Sequence, residues 1–325
     1  MAAPQFTPSG LSDLTRTLAL VDAADTNIRR RFLQLIAEAR GLQSLEQIIV
    51  LVNQGRMFEA LRLIEDVGPG LNEAITTAYI AAGASVAQAL RGSGAAPLIR
   101  FDTLASRGVF ALQESNARLV RELTRQQSSA LSLALQEGVR AGLRPDQIAR
   151  AVRGSIGLTA SQAQSVANYR RSLMNLDSTA LTRELRDRRF DGTVRGALVT
   201  NTPLKASQID NMVARYEAKL LDYRSRVIAG SEALAAVNLG EAQMWDQAVA
   251  RGLNPREVVQ TWHTTMDGRQ RDSHGSMDGQ EQPLGQPFIS GSGVRLRYPG
   301  DSSAPAKEVV SCRCVVTRRF LAPPL

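Results

Sequence analysis

The chain has 325 residues and a mass of 35.2 kDa, with 43% apolar and 22% charged side chains. That is enough apolar material for about two packed domains, and it excludes a mostly disordered protein. The formal charge is +8, and the only cysteines are Cys312 and Cys314, so a disulfide framework is excluded and a reducing compartment is predicted. The most apolar stretch, Ala78 to Leu90, is too short for a bilayer span and is broken by Gln88, and Met1 to Thr17 lacks a basic segment followed by an apolar run. No membrane contact is predicted, and the chain is expected to fold in the cytoplasm.

Helical spacing dominates the first 250 residues. From Ser12, a good N-cap, Leu14, Leu18, Val21, Ile28, Phe32, Leu35 and Ala39 recur at helical steps until Gly41. Ser44 with Gln47 reads as a capping box, and Gly68-Pro69-Gly70 marks a turn into a helix ending near Arg91. The run Arg91 to Pro97 predicts a joint, so residues 1–95 are read as a helical N-terminal domain. Thr103 to Gly138 is free of proline and carries Leu112, Leu119, Leu123 and Leu131 as an apolar stripe, with Gly108 a weak point near its start. Pro145 opens a helix over Asp146 to Arg153, Thr159 with Gln162 makes another capping box, and Pro203 precedes a helix from Lys205 to about Ala229. Residues 96–250 are therefore read as a helical, basic middle domain, in which Tyr169, Tyr216, Tyr223 and Trp245 are expected in the core.

From about Asn254 glycine, proline and serine become frequent and short β-type runs replace helical periods. Phe288-Ile289 and Val294 to Tyr298 predict a hairpin, and Val309 to Val316 a third strand. The predicted fold class is mainly α in the N-terminal and middle regions, closed by a small α+β C-terminal module over 251–325.

The charge excess is local. Residues 1–100 hold nine basic and nine acidic side chains, 101–230 hold twenty and twelve, and 231–325 hold ten and ten. Arginine supplies nearly all of it, and guanidinium forks suit phosphate and carboxylate partners. The densest stretch comprises Arg140, Arg144, Arg150, Arg153, Arg170, Arg171, Arg183, Arg186, Arg188 and Arg189, opposed locally by Asp146, Asp177, Glu184 and Asp187. This pattern fits either sequence-independent contact with a polyanion or solvated helix faces.

Both histidines, His263 and His274, and both cysteines lie in the last fifth of the chain. On a strand, Cys312 and Cys314 would share one face, which suits a chelate better than a disulfide between them. With His274 and one of Asp267 or His263 they would complete a tetrahedral site attractive to zinc. The alternative is that the two thiols are small core residues and His274 hydrogen-bonds the loop. Asp267, Arg269, Arg271 and His274 after Trp262 also offer a carboxylate, guanidiniums and an imidazole, a set able to hold a phosphodiester. Equally, Asp267 paired with Arg269 or Arg271 beneath Trp262 would brace a glycine-rich fold. No Gly-rich phosphate cradle, serine nucleophile elbow or paired catalytic carboxylate motif occurs in the chain.

The order Trp262, Asp267-Gly-Arg269-Gln-Arg271, His274, Asp278-Gly279, Pro299-Gly300-Asp301, Glu308 and Ser311-Cys312-Arg313-Cys314 resembles the phage Mu F-like head-morphogenesis family. The family pattern closes on Asn-Cys-Arg-Cys, and Ser311 stands where Asn is usual. Upstream, Gly230-Ser231-Glu232 resembles the family's Arg-Thr-Glu, with Gly230 in place of the Arg. The resemblance implies a minor head protein of a tailed bacteriophage, non-enzymatic and located in the virion at the portal vertex or capsid interior after assembly in the host cytoplasm. Implied partners are the portal protein, the major capsid protein and packaged double-stranded DNA, with a homo-oligomer around the portal a further expectation. Trp262, Arg269, Arg271, Asp301 and Glu232 are expected in a structural network. A metal-dependent nuclease built on Asp267, His274 and the two thiolates, or a DNA-binding packaging factor absent from the finished particle, are the alternatives.

Overall fold

A computed structural model describes residues 8–42, 45–54, 56, 59, 68–94, 96 and 98–321. As expected, it is mainly helical, with short antiparallel strands confined to the C-terminal region. Among the described residues no helix is long and apolar enough to cross a membrane. The helices are α1 (Pro8–Leu42), α2 (Leu45–Asn53), α3 (Asn72–Gly92), α4 (Ser106–Arg140), α5 (Pro145–Gly154), α6 (Ala160–Met174), α7 (Asp191–Thr200) and α8 (Ala206–Ala250), followed by the single turns α9 (Asp272–Gly275) and α10 (Ala306–Val309). The strands are β1 (Val258–His263), β2 (Glu281–Pro283), β3 (Phe288–Ile289), β4 (Arg295–Leu296) and β5 (Val315–Phe320).

Several local signals act as the sequence predicts. Pro145 occupies the first turn of α5. Thr159 caps α6 in a reciprocal box, its hydroxyl accepting from the Gln162 N–H at 3.2 Å while its own N–H donates to Gln162 Oε1 at 3.0 Å. Others differ. Helix α1 starts at Pro8, so Ser12 lies inside it; the Ser44 capping box lies outside the described residues. Gly108 does not break α4, because a Cβ there would meet Tyr79 Oη at 2.3 Å, so the position needs glycine for packing. Helix α8 runs on through Gly230 and Gly240 to Ala250, well beyond Ala229. Glycine costs a helix about 1 kcal/mol, but at Gly240 the Tyr79 carbonyl approaches to 2.2 Å from a would-be Cβ, and only glycine admits it.

The chain also groups differently from three consecutive segments. Residues 1–31, 71–117 and 227–325 form one compact unit, and residues 32–70 and 118–226 another. Helices α1, α4 and α8 each contribute to both.

In the first unit β1 is the central strand of an antiparallel sheet in the order β2-β1-β5, and β3 pairs with β4 as the predicted hairpin. Burial alternates along β1, with Val258, Gln260 and Trp262 facing inward. Val258 and Leu284 pack with Met244, Trp245 and Ala248 of α8 and with Val86, Ala87 and Leu90 of α3. Trp262, Met277, Phe288, Leu296, Val316 and both cysteines close around Leu234 of α8, so the C-terminal module shares its core with that helix. A buried polar knot accompanies them: Glu241 accepts from Thr17 Oγ1 at 2.7 Å and pairs with Arg318 at 3.4 Å.

The second unit is organised around buried guanidiniums. Arg40 donates to the carbonyls of Gly154 (2.7 Å) and Ile156 (2.9 Å), and Arg224 to that of Gly157 (2.6 Å) and to Gln126 Oε1 (2.7 Å). Tyr169 and Tyr216 pack together with ring centroids 4.8 Å apart. These two and Trp245 are buried as expected, whereas Tyr223 is exposed. Glu217 of α8 is buried against Gly154, where a Cβ would lie 2.4 Å from its Oε2. Burial pushes its carboxyl up to about 7, against the opposing pull of Arg40 and Arg170.

Folded Glu217 thus holds its proton to a higher pH than it does unfolded, so between the two pKa values the folded state binds more protons and stability falls as pH rises. Relative to Glu217→Gln, which stays neutral, the full chain is expected to lose roughly 2–4 kcal/mol between pH 4 and pH 8. Denaturant unfolding of both proteins across that range checks it, and parallel pH profiles would refute it.

A candidate metal centre in the C-terminal motif

The side chains singled out by the sequence come from three places in the first unit: the end of β1, the turn α9 with the loop before it, and the approach to β5. Trp262 is fully buried, edge-on to the His274 ring (centroids 5.6 Å apart, planes at 87°) and to Phe288 (5.3 Å). Helix α9 presents His274 inward. Thr264 joins it to β1, with its N–H donating to Asp278 Oδ1 and its hydroxyl to the His274 carbonyl, both at 2.8 Å.

Among the described residues, His274, Cys312 and Cys314 converge, their donor atoms all within 4.8 Å of one another and all three residues buried. Nδ1 of His274 lies 3.5 Å from Cys312 Sγ and 3.4 Å from Cys314 Sγ. Such a group can hold a metal ion. The convergence has a different origin from strand alternation. Cys312 and Cys314 precede β5 and sit in a loop, which is turned by Ser311 at a φ of 56°. That left-handed conformation is costly for serine and easier for the family's asparagine. The hydrogen bond from Cys312 pulls the Cys314 thiol well below the ordinary thiol range, and the same bond together with burial pushes Cys312 up.

On its far side the imidazole meets a carboxylate. His274 Nε2 lies 3.0 Å from Glu308 Oε2, and Glu308 also accepts from Ser292 Oγ at 2.7 Å and Ser273 Oγ at 3.1 Å. Burial pushes the Glu308 carboxyl up, but these bonds and the ring together bring it below its usual value. Glu308 is the functional residue that spacing arguments miss. Its signal in the sequence is a carboxylate four residues before Cys312, inside the motif.

Asp267 stands apart from this group. Its carboxylate accepts from Arg269 (Nη2, 2.8 Å) and Arg313 (Nη2, 2.8 Å), and the two guanidiniums hold it far below the usual carboxylate range, Arg313 contributing most. It therefore pairs with Arg269, one of the two partners weighed for it, and Arg313 adds a second guanidinium. Arg271 instead donates to the Val310 carbonyl. His263 also lies outside the group, its Nε2 2.7 Å from Thr317 Oγ1. Asp301 is buried and bound by Arg297 through Nε (2.9 Å) and Nη2 (2.8 Å), a bidentate pair four residues apart. Glu232 is half-buried on α8.

The arginines nominated for DNA sort into two kinds in the second unit. Arg170 is ion-paired to Asp210 at 2.6 Å and Arg186 to Asp191 at 2.8 Å, each side chain only 13% exposed, and Arg153 donates to the Arg40 carbonyl at 2.8 Å. Arg140 and Arg171 both pair with Glu137, Arg144 and Arg150 with Asp146, and Arg189 with Asp187. Arg140, Arg144 and Arg189 remain more than 70% exposed, and Arg188 is exposed. Glu137, Asp191 and Asp210, distant in sequence from much of the cluster, supply counter-charge that local counting does not see.

The Pro299-Gly300-Asp301 turn has its own steric reason. Gly300 has a φ of 79° and a Cβ there would sit 3.0 Å from the Ala235 backbone, whereas Gly268, at a φ of 81°, faces open space. Gly268→Ala is expected to cost about 1 kcal/mol through backbone strain alone and Gly300→Ala roughly 2–4 kcal/mol. Thermal unfolding of the full chain measures both; equal losses would contradict the close approach.

Neither the curated proteins nor the solved structures contain a match to the chain. A family model does match: residues 180–317 align with the family described as Phage Mu protein F like protein. The matched stretch holds α7, α8, β1 to β4, the start of β5 and the His274, Cys312 and Cys314 cluster, and over it the chain is similar to the phage Mu F-like family.

Proposed function

We propose that the protein is a minor head protein of a tailed bacteriophage, acting in head morphogenesis, and that its C-terminal module is architectural. The observation that carries this reading is the family match over residues 180–317. The state of the module's charged groups supports it. Asp267 is enclosed by two guanidiniums, Asp301 by Arg297, and Glu308 is engaged by His274 and two serines. These three carboxylates are already committed to holding the fold. Zinc, which the thiol and imidazole donors suit, would act here as a staple and not as a reagent.

In this reading the site of action is the virion, at the portal vertex or capsid interior, with the portal and major capsid proteins as partners. The second unit is the part that contacts packaged DNA. By sequence it holds 22 basic and 15 acidic residues, against 17 and 16 in the first unit, so it carries almost the whole charge excess. A pair between exposed groups is worth about 0–1 kcal/mol, so a phosphate can displace Asp146 from Arg144, whereas Arg140 and Arg189 offer exposed guanidiniums while keeping their buried partners Glu137 and Asp187. Arg170 and Arg186, enclosed in their pairs, hold the unit together.

The purified protein is expected to bind mixed-sequence duplex DNA with an affinity that falls steeply from about 50 to 200 mM salt. Arg144→Ala, Arg188→Ala and Arg189→Ala should each reduce the slope of log affinity against log salt by up to about 0.9, while Arg170→Ala and Arg186→Ala lower stability. A salt-insensitive affinity, or none at low salt, removes DNA from the proposal. Mass spectrometry of purified virions should find the chain in the finished particle, and supercoiled plasmid incubated with the protein and divalent metals should stay uncut. His274-dependent cutting would favour the nuclease, and absence from the virion the packaging factor.

A further inference from the structure

We propose that His274 Nδ1, Cys312 Sγ and Cys314 Sγ are the three protein ligands of one zinc ion, that Glu308 positions the histidine for it, and that Asp267 and His263 take no part. This deepens the architectural reading of the module and rests on it for the ion's role, but not for its binding.

The distances carry the proposal. Zinc–sulfur bonds of about 2.3 Å and zinc–nitrogen bonds of about 2.0–2.1 Å at tetrahedral angles put two such ligands about 3.5 Å apart. The two nitrogen–sulfur separations are 3.5 and 3.4 Å. The nitrogen thus already stands from each sulfur at the spacing an ion would impose, the three donor atoms lie within 4.8 Å of one another, and all three residues are buried. Thiolate and imidazole together select a soft or borderline ion over magnesium or calcium.

Glu308 supplies what the first ligands need. With its carboxylate 3.0 Å from Nε2, the ring proton is drawn to that nitrogen and the lone pair of Nδ1 faces the sulfurs, the arrangement that metal-ligating histidines usually share. Ser273 and Ser292 fix the carboxylate in turn. Trp262 packs edge-on to the ring and keeps it from swinging away.

Asp267 is excluded by its commitments. Moving it to the cluster would strip two guanidiniums, Arg269 and Arg313, of their shared partner. The fourth position belongs to a water. A cavity of about 20 Å³ adjoins His274 and both cysteines, and its lining contains no carboxylate. That is room for one water molecule. Arg271 and Arg313 line the same cavity.

The test uses the full chain, stripped with chelator under reducing conditions and checked for folding by circular dichroism, then titrated with cobalt(II). One equivalent should give thiolate-to-cobalt charge transfer and intense tetrahedral d–d bands, both abolished by zinc. Cys312→Ser, Cys314→Ser and His274→Ala should each weaken binding more than 100-fold, Glu308→Gln about 10- to 100-fold with the spectrum unchanged, and Asp267→Asn not at all. Should the cysteine or histidine variants fail to fold, the wild-type spectrum with Glu308→Gln and Asp267→Asn still decides. A folded wild type without the cobalt spectrum, or Asp267→Asn as damaging as Glu308→Gln, overturns the proposal and leaves the architectural reading standing. The expected spectrum together with His274-dependent plasmid cutting would keep the metal site and overturn the architectural reading.

Discussion

The imidazole of His274 is held from three directions, and the C-terminal module is built around that fact. Glu308 meets one ring nitrogen, two sulfurs face the other, and Trp262 packs edge-on. Each contact comes from a different part of the chain, namely α10, the loop before β5, and β1. Fixing one ring therefore helps fix the mutual placement of three elements that also share one apolar cluster. A region with two-residue strands and one-turn helices has little core of its own, and directional polar contacts supply the order that packing alone would not.

The same economy governs the arginines. In a chain whose basic residues are nearly all arginine, many guanidiniums are internal fasteners. Arg40 and Arg224 satisfy the carbonyls of a turn between α5 and α6, Arg297 fixes Asp301, and Arg318 reaches buried Glu241. Guanidinium suits this work because its fork stays charged and serves two acceptors at once, which a lysine ammonium does with less geometric definition. Net charge overstates the basic surface for that reason. The exposed arginines of the second unit include Arg140 on α4, Arg144 on the α4–α5 connection, Arg188 and Arg189 around Asp187, Arg195 on α7 and Arg226 on α8.

Much of this was legible in the sequence where a local rule decides. The Thr159 capping box, Pro145, the 68–70 turn and the 288–296 hairpin each depend on residues a few positions apart, and each is present. Rules fail where a distant contact overrides a local preference. Gly108, Gly230 and Gly240 look like helix weak points until Tyr79 is seen to occupy the space beside two of them. The thiols were expected together and are together, but through a left-handed Ser311 and not through strand alternation. Asp267 was legible as a pairing group, whereas its second partner, Arg313, lies 46 residues away. No periodicity reports a contact of that kind. The grouping of the chain was the least legible feature, since helices as long as α1, α4 and α8 show one amphipathic pattern even where they serve two cores.

The two departures from the family pattern meet at one place, and the meeting explains why they are tolerated. Ser311 takes a left-handed conformation that asparagine would adopt at lower cost. Its N–H donates to Ser231 Oγ at 2.9 Å, and Ser231 stands where the family has threonine, so the hydroxyl acceptor is retained. That bond ties the loop carrying both thiols to α8 and offsets part of the strain at Ser311. Beside it, Gly230 occupies the family's arginine position, and a Cβ built there would lie 3.7 Å from Asp25 Oδ1. Burial pushes the Asp25 carboxyl up, with Arg29 opposing, so an arginine at 230 would face a carboxylate suited to pair with it. With glycine at 230 that pair is not made, and the hydroxyl of Ser231 joins helix to loop alongside the packing of Leu234 against both cysteines.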